Sequence, residues 1–122
     1  MRLLILIAVA FTCTLSAPMN AAADSPPGLA CSQRTIVVFK NGQNPERAGS
    51  LFSAHLAFTI SQLRAGTLIS AGPFDGVEGG AMIFRDSDWH VVEHLLRDEP
   101  FTKGGVFAID RHMVWNACEL AK

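Results

Sequence analysis

The sequence has no block of like charge, no internal repeat and no low-complexity segment. Its formal net charge of −1 leaves no electrostatic case for nucleic acid or anionic lipid as a partner. No glycine-rich loop stands between a strand and a helix, so nucleotide binding has no support. No Ser-His-Asp or Cys-His nucleophile pattern is readable. The one long apolar run, Leu3 to Leu15, is shorter than the ~20 residues that cross a bilayer. Cysteine is scarce, with three in 122 residues, so a dense disulfide scaffold is excluded.

What is present begins with a leader. Arg2 precedes the apolar run, which only Thr12, Cys13 and Thr14 interrupt. Ala21-Ala22-Ala23 then stands before Asp24. Charge, apolar stretch and small-residue cleavage site in that order predict a signal peptide over 1–23, and hence a periplasmic or secreted protein with no membrane attachment after cleavage. Cleavage removes Cys13 and leaves Cys31 and Cys118 in a compartment that permits a disulfide. The remainder fits one small domain.

Residues 24–33 contain Pro26-Pro27-Gly28 without periodicity and read as a flexible lead-in. Thr35 to Phe39 is a β-branched and aromatic run, a buried strand. A polar loop through Pro45 leads to a helix from Glu46 to Arg64, ended by Gly66. Phe52, Leu56, Ile60 and Leu63 recur at helical spacing and mark its expected core face, with His55 at the edge of that stripe. Thr67 to Ala71 reads as a strand stopped by Gly72-Pro73, and Ala81 to Phe84 as a third. A second helix is expected from Asp88 to Arg97, with Pro100 as its breaker. Val106 to Ile109 begins a fourth strand, which Met113 to Trp115 extend. The domain is bounded at 34–117, with a tail over 118–122.

The order β-α-β-β-α-β is the ferredoxin-like, split βαβ arrangement of an α+β fold: an antiparallel sheet with two helices on one face. In that topology the first and last strands are neighbours, which brings Cys31 and Cys118 to one sheet edge and makes a disulfide between them the expectation. Helices on one face leave the other bare, and an apolar sheet face of this kind is covered by a second copy, so a homodimer is expected.

At this point the chain resembles the YCII-related (YciI-like) family of the dimeric α+β barrel superfamily. The resemblance is carried by His55-Leu56, Leu63 to Gly66, Leu68 to Pro73, Glu99-Pro100-Phe101 and Gly105 to Phe107, and covers about Arg34 to Trp115. It implies two sheets facing each other as a barrel, and a His–acid pair, here His55 and Glu99, as catalytic residues. It also implies a small-molecule ligand, ring compounds for the members with assigned chemistry, and no cofactor. Two positions depart from the family. The acid before Pro is usually Asp, so Asp98 is an alternative to Glu99. An Arg often stands one turn before the His, where this chain has Phe52; Arg47 is the nearest substitute. Ser70, Gly72, Pro73 and Asp98 complete the expected ligand-binding set.

A second motif competes. His90-Val-Val-Glu93-His94 matches H-x-x-E-H, an inverted zinc-protease pattern. The chain offers little room for a peptide cleft and no convincing third ligand, so the reading is a solvated helix face and no metal. Two functions remain. One is a small dimeric enzyme transferring protons on a cyclic or carbonyl compound; the other is a non-catalytic binding or interaction module of the same fold.

Overall fold

The computed structural model describes residues 25–122, so the expected signal peptide lies outside the described residues. Strand β1 spans Leu29–Asn41. A single 3₁₀ turn, Pro45–Arg47, opens helix α1, Ala48–Ala65. Strands β2 (Leu68–Pro73) and β3 (Gly80–Phe84) follow, then helices α2 (Trp89–Leu96) and α3 (Pro100–Lys103), and strand β4 (Phe107–Leu120). The four strands form one antiparallel sheet in the order β2-β3-β1-β4, the ferredoxin-like arrangement. Among the described residues no helix is long and apolar enough to cross a membrane.

Strand alternation sorts the sheet into two faces. Val37 and Phe39 of β1, Leu68 of β2, and Met82 and Phe84 of β3 are buried with Val92 and Leu96 of α2 in the core. Ile36, Val38 and Ile83, with Met113 and Trp115 of β4, occupy the opposite face and keep solvent contact. That face is bare in the single chain, as the topology requires.

The helix boundaries follow local chemistry. Pro100 sits at the first position of α3, where its missing N–H costs nothing. Asp88 caps α2 by accepting from the His90 N–H at 2.9 Å. Gly66 ends α1 in the left-handed region, φ 77°, with its N–H on the Leu63 carbonyl.

Several expectations need correction. The stripe Phe52, Leu56, Ile60 and Leu63 is exposed, and α1 contains no buried residue. The less exposed side of α1 carries Leu51, His55, Phe58, Thr59 and Gln62. Apolar residues surround so much of α1 that two stripes satisfy helical spacing, and periodicity alone cannot choose between them. Gly72 and Pro73 do not stop β2 but pair with Ala81 and Gly80. β2 is an edge strand, and an edge tolerates a residue without an N–H. Residues 98–101 do not simply break a helix; they start α3. Strand β1 begins six residues before Thr35, inside the expected lead-in, and β4 runs past 117 to Leu120.

Cys31 and Cys118 are joined by a disulfide. They lie within the paired strands, directly opposite each other, and do not flank them. β3 pairs only with Thr35 to Phe39 of β1, so residues 29–34 and 115–120 form a two-stranded extension beyond β3. The disulfide ties that extension near its end.

Candidate functional site

Glu99 is the N-cap of α3 and is fully buried, with 0% exposure. A buried carboxylate is costly unless hydrogen bonds replace water. Here they do. Oε2 accepts from the Thr102 N–H and the Thr102 hydroxyl, both at 2.7 Å. Oε1 accepts from the Phe101 N–H at 3.1 Å and from His55 Nδ1 at 2.5 Å. Burial pushes the Glu99 carboxyl up. The bonds from His55, Thr102 and Phe101 outweigh that and hold it below the usual value of 4.5. Glu99 is therefore an anion at neutral pH, able only to accept.

That fixes the histidine. An acceptor-only oxygen facing Nδ1 means that Nδ1 carries the proton, which leaves Nε2 as the nitrogen available to a ligand. The ring is further held by stacking on Phe101, centroids 3.9 Å apart at 5°, and by the edge of Phe107 at 6.1 Å. Phe107 also packs edge-on against Phe101. Three elements thus set one imidazole: α1 carries it, α3 supplies acid and stacking ring, and β4 supplies the second ring.

His55 lines a cavity of about 370 Å³ between α1 and the sheet. Phe39, Met82 and Phe107 form apolar walls, Phe52 and Leu56 line the α1 side, and the Gly72-Pro73 segment closes another side. Thr59 lines it too, but its hydroxyl donates to the His55 carbonyl at 2.9 Å.

Of the expected site residues, the structure brings together His55 and Glu99, with Gly72 and Pro73 on the same cavity. It does not bring Ser70 or Asp98 there. Ser70 pairs with Ile83, on the face away from the cavity, and is exposed. Asp98 is exposed, and Glu99 alone reaches His55. The extra methylene of Glu99 does not break the pairing. Arg47 does not line the cavity: its guanidinium donates to the Gly104 carbonyl at 2.9 Å and steadies the end of α3.

Thr102, Phe101 and Phe107 were missed from sequence as parts of the site. The available signal was an acid directly before Pro with Thr three residues after the acid, the spacing of an N-cap closing on the first turn of a helix. His90 and His94 are exposed on α2 with Glu93 half-buried between them. Among the described residues no three His, Cys, Asp or Glu side chains gather where a metal could be held. His112 stacks on Trp89 at 3.6 Å, away from the cavity.

No protein-family model matches the chain, and no curated protein matches it. A solved structure that does match is the 5-chloro-2-hydroxyhydroquinone dehydrochlorinase of Burkholderia phenoliruptrix AC1100, in complex with 2,5-dihydroxybenzoquinone. It is 24% identical, with a TM-score of 0.51, over 69% of this chain and 91% of that one. The likeness shows the fold, a four-stranded antiparallel α+β unit of ferredoxin-like type.

Proposed function

We propose that the chain is an exported, homodimeric YCII-related protein that transfers protons on a small cyclic or carbonyl compound. The observation that carries the reading is the His55–Glu99 pair at the wall of an apolar cavity. In the proposed step, Nε2 of neutral His55 takes a proton from a ligand carbon or hydroxyl. Glu99 stays ionised and stabilises the imidazolium. Nε2 then returns that proton, or one exchanged with water, to another position on the ligand, and His55 is neutral again. Supporting context comes from the dehydrochlorinase of the same fold, whose substrate and bound ligand are both rings. The disulfide suits an oxidising compartment. The bare sheet face suits a second copy.

The non-catalytic reading draws on one observation: among the described residues His55 is the one titratable side chain lining the cavity. A binding module needs no second group. The two are separated by assaying ring ketones and hydroxyquinones for exchange of carbon-bound hydrogen in deuterated water. The enzyme reading expects wild-type acceleration over buffer on at least one compound, lost by about 10²–10⁴-fold in His55→Ala. A panel exchanging no faster than buffer, or an unchanged rate in the variant, overturns it.

A further inference from the structure

We infer that the cavity beside His55 selects uncharged ring compounds and rejects anions, with Phe52 as the residue that sets this preference. The inference deepens the proposed function, since it names the ligand class of the same cavity.

Among the described residues no Lys or Arg side chain lines the cavity. Three basic side chains on or next to the surrounding elements have partners outside the cavity. Arg47 is held by the Gly104 carbonyl, Arg85 by the Gly66 carbonyl at 2.6 Å, and Lys40 faces Asp110 at 3.9 Å. The one lining group that can carry positive charge is His55, and the Glu99 carboxylate lies 2.5 Å behind it. With His55 neutral the pair has charge −1; with His55 protonated it is zero. At neither stage does the site offer net positive charge. An anionic ligand would give up water without gaining a counter-ion.

Shape and lining point the same way. Phe39, Phe52 and Phe107 offer flat apolar surface, with Leu56 and Met82 between them. A dry cavity of about 150 Å³ holds benzene. The present cavity of about 370 Å³ therefore admits one substituted ring with room for its groups. The Thr59 hydroxyl proton is already donated to the His55 carbonyl, so the polar lining side chains, Thr59 Oγ1 and His55 Nε2, are left to a ligand as acceptors. The fitting ligand is a neutral ring with one hydroxyl or N–H donated to the bare Nε2 of His55.

Phe52 is the position through which this changes. It lines the cavity from the first half of α1, yet 53% of it is exposed. A longer cationic side chain there can fold toward the cavity without disturbing the core.

The test titrates benzamide and benzoate, matched in shape and differing in charge, into the wild-type protein and into Phe52→Arg, with Phe52→Leu as the size control. NMR shifts report binding directly, so the result does not depend on turnover. Wild type and Phe52→Leu are expected to bind benzamide at least tenfold more tightly than benzoate, about 1.4 kcal/mol. Phe52→Arg is expected to abolish or reverse that ratio. Equal or tighter binding of benzoate by wild type overturns the inference, as does failure of benzamide to bind up to its solubility limit. So does an unchanged ratio in Phe52→Arg. Absence of hydrogen exchange on any ring would remove the enzymatic reading and leave this preference standing.

Discussion

Glu99 is the residue on which stability and site converge. Its four accepted hydrogen bonds cap α3 and fix His55 at once. A hydrogen bond to a buried charged group is worth about 1.5–3 kcal/mol. Glu99→Gln, which keeps the shape and loses the charge, is expected near the lower end of that range in urea unfolding. The pH dependence follows from the direction of the shift. A carboxyl held below its unfolded value of 4.5 is bound to fewer protons in the folded state. Its contribution is therefore complete above that value and is lost as pH falls through the folded one. Wild type should lose stability on acidification below about pH 4.5, and Glu99→Gln should flatten that part of the curve. Thr102→Val removes one bond to the charged Oε2, worth about 1.5–3 kcal/mol, and leaves the backbone cap in place. Of this constellation the sequence displayed His55 and the acid before Pro100, because a His and a Glu-Pro step are visible in one dimension. The aromatic rings that hold the imidazole were not, since Phe101 and Phe107 look like any other core residues until α3 and β4 are placed.

Helix α1 shows what periodicity can and cannot decide. Its existence and its end at Gly66 follow from spacing and from the one residue that adopts φ 77° without strain. Which side meets the sheet does not follow, because Leu51, His55 and Phe58 compete with Phe52, Leu56 and Leu63 for that role. The packing is decided by a contact distant in sequence, His55 with Glu99, 44 residues apart. The consequence is measurable. Leu63→Ala, at a position 41% exposed, should cost under about 1 kcal/mol, whereas Leu96→Ala in the core should cost about 2–5 kcal/mol. Had the sequence-based stripe been the buried one, Leu63→Ala would match Leu96→Ala. The strand order was readable from element types, but the lengths of β1 and β4 were not. Their outer ends pair only with each other and carry polar residues such as Gln33 and Asn116, which lack the β-branched runs that mark a buried strand.

In the whole molecule, two features govern behaviour beyond the site. The disulfide links residues 87 apart, and closing so long a loop favours the folded chain by about 2–5 kcal/mol. Replacing both Cys31 and Cys118 by Ser should lower thermal stability by that order. The cavity, lined by α1 and the sheet, and the contacts of α3 with His55 should remain, so the imidazole environment of His55 should be unchanged. The bare sheet face is the second feature. Its apolar residues, with Ile83 near the middle, make it the expected seat of a second copy, and Ile83→Lys should convert a dimer to a monomer in analytical ultracentrifugation. Both features were approachable from sequence because they depend on topology, which the element order supplies.

The central claim is that Glu99 holds the Nδ1 proton of His55 and so leaves Nε2 for a ligand. Long-range ¹H–¹⁵N correlation of the histidine rings tests it at a pH where the His55 ring is neutral. The geometry predicts His55 protonated at Nδ1 and bare at Nε2 in the wild type, with that tautomer lost or mixed in Glu99→Gln. A neutral His55 carrying its proton on Nε2, or a spectrum indifferent to Glu99→Gln, would contradict the account.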